Sequence, residues 1–567
     1  MKYIIKSFFF LLTIAINVVA CAQFPHASKL THQDTLRGTN TPERAWWNVL
    51  TYAISVTPDY DSKTIQGCNV IGFDVSQPGA NKKMQIDLQE PMQIDSIIFF
   101  NEKLNHYKRD GNVYIIDFGK TLFGAADLEN QFGEKLFSYR LKIYFSGKPR
   151  EAKFPPWDGG WIWKKDNQGR PWMSVACQGL GASVWYPCKD IQSDEPDSGA
   201  LLSITVPDTL VAVGNGRLTS KEQHANGTTT WHWKVVNPIN NYDIIPYIGK
   251  YVHWSDTYKS EETNKDLSLD FWVLDYNLEK AKKQFGLYVK PMLKAFEYWL
   301  GPYPFYEDGY KLVDAPHLGM EHQSAVAYGN GYQNGYMGRD LSHSGWGLKW
   351  DFIIVHESGH EWFANNITSK DIADMWIHES FTNYSETLFT DYWFGKEAGN
   401  AYVQGTRKNI ANDIPIIGHY NVNQEGSGDM YYKGGNMIHM IRQVINDDEK
   451  FRQILRGLNK TFYHQTVTTK QIENYISKQS GINFNKLFDQ YLRTTQIPVL
   501  EYKINGHKLY YRYSNCVKGF NLPLKIIFKT EQWIHPTEKW KSLNLYPEGD
   551  NNFTIDPNFY INTKKTE

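Results

Sequence analysis

Apolar spacing changes twice along the chain. From Trp46 to about Lys250 the apolar runs are short and often alternating, as at residues 97–100, 113–118 and 141–145, with Gly, Asn and Asp between them. That pattern predicts the strands of an all-β domain. Beyond Tyr251 a helical period takes over. Phe285, Val289, Met292, Phe296 and Trp299 share one helix face, and Gly301-Pro302-Tyr303-Pro304 ends the segment. Pro291 lies inside it and, lacking an N–H, is expected to kink or divide the helix. Residues 436–495 also read as helices, with a capping-box start at Thr468-x-x-Gln471 and an apolar face of Leu487, Phe488, Tyr491 and Leu492. From Ile497 the chain turns β again: Asn505-Gly506 marks a hairpin turn, and Leu524, Ile526 and Phe528 alternate.

These patterns predict a multidomain α+β protein. At 567 residues it exceeds a single core and should divide into about three or four domains. The expected divisions are a signal peptide at 1–22, a linker at 23–42, an N-terminal β domain at 43–250, a mixed α/β domain at 251–495 and a small C-terminal β-sandwich at 496–567.

Composition narrows the picture. Lys and Arg number 60 against 61 Asp and Glu, with no long charge run, so the chain has no electrostatic footprint for nucleic acid. Its 19 Trp and 36 Tyr are read as packing for sheet faces. Lys2 and Lys6 precede an apolar run over 8–19 and then small residues, the pattern of a secretory signal, so the protein is expected in the periplasm or outside the cell. Cleavage after Ala22 would release a soluble product, the preferred reading. Val18-Val19-Ala20-Cys21 also resembles a loose lipobox, which would make Cys21 a lipid anchor. Cysteines at 21, 68, 177, 188 and 516 are too scattered for a disulfide framework, although a Cys177–Cys188 bridge stays open.

The chemistry concentrates in residues 355–386. His356-Glu357-Ser358-Gly359-His360 sets two imidazoles four residues apart on one helix face, where both can reach one metal ion with Glu357 beside them. A catalytic zinc needs a third protein ligand and an open position. Glu379, on a second segment with Trp376, Ile377, Phe381 and Tyr384 at helical spacing, is the candidate.

The spacing from His360 to Glu379, and the run Trp-x-x-Glu-x-Phe-x-x-Tyr-x-Glu from Trp376 to Glu386, resemble the thermolysin-like zinc aminopeptidases of the aminopeptidase N and leukotriene hydrolase family. The family usually has Asn before the third ligand and Gly after it, where this chain has His378 and Ser380. Leu318-Gly319-Met320-Glu321-His322 resembles the family's Gly-x-Met-Glu-Asn edge strand. Gln178, followed nine residues later by Pro187-Cys188-Lys189-Asp190, resembles the segment that reaches from the β domain to the substrate's amino end. Tyr431-Tyr432-Lys433-Gly434 is similar to the family's Tyr-x-Lys-Gly.

What the resemblance implies is a thermolysin-like catalytic domain at 251–495 and one Zn2+ per chain, held by His356, His360 and Glu379. Glu357 would be the general base and Tyr431 the oxyanion donor, with Tyr432 as the competing assignment. Glu321, Gln178, Gly319 and Met320 would bind the substrate, a peptide with a free N-terminus. Two other readings stay open: a secreted zinc endopeptidase, and a non-enzymatic binding protein on the same scaffold. Oligomeric state and first-residue preference are not legible.

Overall fold

The computed structural model describes residues 30–124, 139–528, 530–545 and 553–567. The expected signal peptide, with Cys21, lies outside these residues. Among the described residues no helix is long and apolar enough to cross a membrane.

The N-terminal half is built of strands. An eight-stranded sheet runs from Arg217–His224 through the long central hairpin Trp47–Asp59 and Thr64–Val75 to Glu102–Leu104. It is antiparallel except where Trp47–Asp59 meets Ala200–Pro207. A four-stranded sheet of Val211–Val213, Tyr247–Gly249, Pro171–Ala176 and Gly160–Lys165 accompanies it. Alternation drives this layout. In Trp47–Asp59 the side chains of Val49, Tyr52, Ile54 and Val56 are buried in the domain core, with one register shift between Val49 and Thr51.

At Tyr251 the chain enters a second, five-stranded sheet in the order Tyr251–Lys259, Asp266–Leu274, Tyr310–Asp314, Val326–Tyr328, Gly319–Met320. This sheet is buried on both faces. Leu269, Phe271, Val273, Leu312, Val326 and Tyr328 join the helical core, whereas Trp272, Leu274, Val313, Ala325 and Ala327 pack into the core of the N-terminal half. The period of two thus sends alternate residues to different cores and fixes the two halves against each other. Gly319–Met320 closes the sheet as an antiparallel edge strand, Gly319 opposite Tyr328.

Helix Leu278–Leu300 is not divided at Pro291. Its buried face, including Phe285, Val289, Met292, Phe296 and Leu300, is held along its length, and the Pro291 carbonyl accepts from Trp393 Nε1 at 3.1 Å. The capping box at Thr468 and Gln471 is present. The C-terminal strands form sheets of four and three, and the turn between Val499–Asn505 and Lys508–Ser514 is Gly506-His507, one residue beyond the expected pair. Their buried Leu500, Leu509, Leu524, Ile526 and Phe528 are continuous with the helical core.

One expectation is corrected and one open question is answered. Residues 30–42 are not a tether. Helix His32–Gly38 starts with a capping box between Thr31 and Asp34, and helix Pro42–Ala45 follows. Fully buried Arg44 pairs with Asp87 at 2.6 Å and donates to the Leu36, Arg37 and Thr39 carbonyls at the helix C-terminus, where a cation is favoured. The segment also grips distant loops: Asn423 N–H donates to the Asp34 carbonyl at 3.0 Å, Thr39 Oγ1 donates to the Asn421 carbonyl at 2.8 Å, and Arg37 donates to the Leu180 carbonyl. Second, Cys177 and Cys188 are both free, buried thiols whose pKa values burial pushes well up.

Candidate active site

Helix Phe352–Gly359 begins on Asp351, whose carboxylate accepts from the Ile353 and Ile354 N–H groups. Just past its end the chain leaves helical angles at Phe363 (φ −130°, ψ 92°) and Ala364 (φ 142°, ψ −55°). The break turns the Phe363 carbonyl toward His360, whose Nδ1 lies 3.0 Å away, with Thr382 Oγ1 at 3.1 Å. His356 Nδ1 lies 2.7 Å from Glu386 Oε1. An imidazole whose Nδ1 donates its hydrogen presents an unprotonated Nε2, so both rings offer Nε2 lone pairs to the space between them.

Helix Trp376–Phe394 brings Glu379 to that space. Its Oε2 is 3.4 Å from His360 Nε2 and 3.9 Å from His356 Nε2, and it is buried with no hydrogen-bond partner. Donors about 2.0–2.1 Å from a tetrahedral zinc are about 3.3 Å from one another, so this orphaned oxygen and the two nitrogens fit such an ion. His356, Glu357 and His360 also cluster, with donor atoms within 4.8 Å. Glu379 is the better third ligand, because its oxygen is both nearer the imidazoles and otherwise unsatisfied. Burial raises the Glu379 carboxyl, yet His360 and His356 draw it below its ordinary value; Glu379 in turn draws His360 up to about 10 against the effect of burial. A proton on His360 supplies the positive charge this arrangement requires, and a metal ion would displace it.

Glu357 is buried and pushed up to about 7 by that burial, against the pull of the two histidines. The edge strand lies directly over it: a Cβ on Gly319 would fall 2.6 Å from Glu357 Oε1, so only glycine lets the strand approach this closely. Tyr431 faces the site. Its ring lies near parallel to His356 at a centroid distance of 6.0 Å, and burial followed by Glu379, Glu425, Glu321 and Glu357 holds its phenol protonated.

At the other end Glu321 follows the edge strand, and one of its oxygens, Oε1, accepts from Gln178 Nε2 at 2.5 Å and Tyr242 OH at 3.0 Å. Gln178 Nε2 also reaches Glu379 Oε1 at 3.3 Å. Burial raises the Glu321 carboxyl. Behind it Asn365 Nδ2 donates to the Glu321 carbonyl at 2.9 Å and Glu361 accepts from Ser324 N–H at 2.8 Å. The segment after the histidine helix therefore also anchors the strand end. Met320 is buried in the N-terminal core.

The two departures around Glu379 are accommodated. His378 Nε2 accepts from Ser369 N–H at 2.8 Å, and burial lowers its pKa to about 3, so it is a neutral acceptor. Ser380 donates to the Met430 carbonyl at 2.6 Å and lies where a Gly434 Cβ would be only 1.9 Å from its oxygen. At the edge strand His322 Nδ1 pairs with Tyr247 OH at 2.7 Å.

All nine singled-out residues, His356, His360, Glu379, Glu357, Tyr431, Glu321, Gln178, Gly319 and Met320, thus fall in or beside one site. Three neighbours went unassigned. Glu386 closes the quoted motif two helical turns beyond Glu379, so its face was readable. Tyr242 and Glu425 come from irregular segments with no local pattern.

Comparison with known proteins agrees with this geometry. Residues 316–491 match the model for the Peptidase family M1 domain. Tricorn protease-interacting factor F2 of Thermoplasma volcanium is 21% identical over 59% of this chain and 42% of its own length. Aminopeptidase N of Canis lupus familiaris is 23% identical over 57% and 35% respectively. The chain therefore spans less than half of these relatives. A mutant M1 zinc metallopeptidase from Deinococcus radiodurans, solved with a Tyr-Ser-Ala substrate, shares the fold at a TM-score of 0.63 and 18% identity, covering 81% of this chain and 98% of that one. The stretch that matches the Peptidase family M1 domain, residues 316–491, includes His356, Glu357, His360, Glu379, the edge strand and Tyr431.

Proposed function

We propose that this protein is a zinc aminopeptidase that removes the first residue of peptides with a free N-terminus. The observation that carries the reading is the buried carboxylate of Glu321 at one end of the site. Gln178 and Tyr242 converge from two other segments on the Glu321 carboxylate, and Gln178 also reaches Glu379, which sets a charged acceptor for an ammonium beside the proposed zinc donors.

His356, His360 and Glu379 would hold the zinc, which when bound lowers the pKa of a water and polarises a carbonyl. Glu357, raised toward neutrality and set against the edge strand, takes the proton of the attacking water and passes it to the leaving amine. Tyr431 donates its phenol hydrogen to the oxyanion that develops opposite Glu357. The free edge of Gly319–Met320 pairs with the extended peptide backbone. Glu321 and Gln178 hold the ammonium, so only the first peptide bond reaches the reacting groups.

Export belongs to the same proposal, and its support is the signal-like pattern at 1–22. The mass of the mature N-terminus separates cleavage after Ala22 from lipidation of Cys21.

The test compares free and amino-acetylated peptides in the wild type and in Glu321→Ala. Losing one partner of a charged pair typically costs about 2–5 kcal/mol, so either change alone should lower kcat/KM about thirtyfold or more. The two changes together should cost far less than their product. Equal cleavage of free and acetylated peptides by the wild type would make the protein an endopeptidase. Zinc binding without turnover of either would leave a binding protein.

A further inference from the structure

We propose that the site selects a positively charged first residue, lysine or arginine, and that Glu425 reads that charge. The inference rests on the aminopeptidase reading and specifies its substrate.

Glu425 arrives on the segment that precedes Tyr431. A Cβ on Gly179 would lie 2.8 Å from Glu425 Oε1, so its carboxylate rests against the residue that follows Gln178. Asn423 Nδ2, donating to the Gly179 carbonyl at 3.0 Å, fixes the segment there. The charge of Glu425 bears on the Tyr431 phenol, and the charges of Glu321 and Glu379 bear on Glu425. Its contact with Gly179 sets it beside Gln178, at the end proposed for the ammonium, and its charge bears on Tyr431, beside the place proposed for the carbonyl. The α-carbon stands one bond from each of these groups, so the first side chain starts in the space that Glu425 borders.

The chemistry of that wall is specific. Glu425 Oε2 is buried with no hydrogen-bond partner, and the charges bearing on it are both negative. Burial, then Glu379 and Glu321, push its pKa up to about 8. A carboxylate in such a place is costly unless a cation joins it. A zinc ion would complete Glu379, and Glu321 accepts two hydrogen bonds, whereas Glu425 Oε2 has no donor. An ammonium or guanidinium at the end of a lysine or arginine side chain supplies it, with a charge-assisted hydrogen bond. A neutral first residue leaves the carboxylate unpaired.

The experiment uses the zinc-loaded mature chain and aminoacyl amides of arginine, its uncharged isostere citrulline, lysine and leucine. Arginine should exceed citrulline in kcat/KM by about thirtyfold or more in the wild type. In Glu425→Gln that ratio should collapse to about threefold or less, and Glu425→Asp, which keeps the charge on a shorter arm, should retain part of it. Because each ratio is taken within one protein, partial misfolding of a variant does not distort it. Equal hydrolysis of arginine and citrulline amides by the wild type overturns the proposal. So does an equal loss on both in Glu425→Gln, which would make Glu425 a second contact to the ammonium. If no free aminoacyl amide is cleaved while acetylated peptides are, the aminopeptidase reading fails and this proposal with it.

Discussion

The two ends of the site are made in opposite ways. The metal end comes from two helices close in sequence, Phe352–Gly359 and Trp376–Phe394, and each donor has a support: Glu386 behind His356, the Phe363 carbonyl and Thr382 behind His360. The amino end draws Gln178, Tyr242, Glu321 and Glu425 from four separated segments across both halves of the molecule, and it is a cluster of carboxylates with no resident cation. In the proposed function one end is completed by a metal ion and the other by the substrate. Damage at the first should remove the ion or the chemistry, whereas damage at the second should change which substrate is chosen.

The largest expected effects test the metal end. Glu379→Ala should leave zinc clearly substoichiometric after reconstitution and reduce activity to that of chelator-treated protein. Glu357→Gln should keep a full zinc complement while kcat falls about a hundredfold or more. Metal analysis beside kinetics separates the two, and full activity in Glu379→Ala would remove it from the donor set.

A smaller effect is expected one layer out. Glu386 accepts from His356 Nδ1 and Asn383 Nδ2 on one oxygen and from Tyr402 OH on the other. Glu386→Gln should weaken zinc binding by about 10–100-fold, the usual cost of losing such a support, measured by competition with a chelator. If zinc affinity is unchanged, the contrast between a supported and an unsupported end is weaker than drawn here.

The smallest effect is on packing. Gly434→Ala should destabilise the fold by about 1–3 kcal/mol in denaturant titration, because the new methyl meets Ser380. Adding Ser380→Gly should restore most of the loss, and purely additive effects would show that the two helices do not meet there.

The same contrast explains what could be read from the sequence. His356, His360 and Glu379 are held by helical spacing, so a linear pattern reports them, whereas the edge strand Gly319–Met320 is reached only through its resemblance to a family motif. Glu425 and Tyr242 act across chain separations that no periodicity spans. The error at residues 30–42 has a different cause. That segment is ordered not by an apolar face but by Arg37 and Arg44, buried through carbonyl and carboxylate partners far along the chain, and a polar sequence of this kind looks like a tether. Pro291 does not divide its helix, since tertiary packing on a long apolar face outweighs one missing hydrogen bond.

The grip of helix His32–Gly38 on residues 421 and 423 has a consequence for the order of events during synthesis. Thr39 and Asn421 share a hydrogen bond although 382 residues separate them. The N-terminal strands can pair as they leave the ribosome, because their partners lie nearby. Gln178 can meet Glu321 and Glu379 earlier, but Gly179 gains its neighbours Asn423 and Glu425 only when that late segment has been made. A growing chain therefore lacks the wall formed by Glu425 and the Tyr431 phenol until this segment has been made. Nascent chains halted before residue 421 should be unable to trim their neighbours, whatever metal they carry.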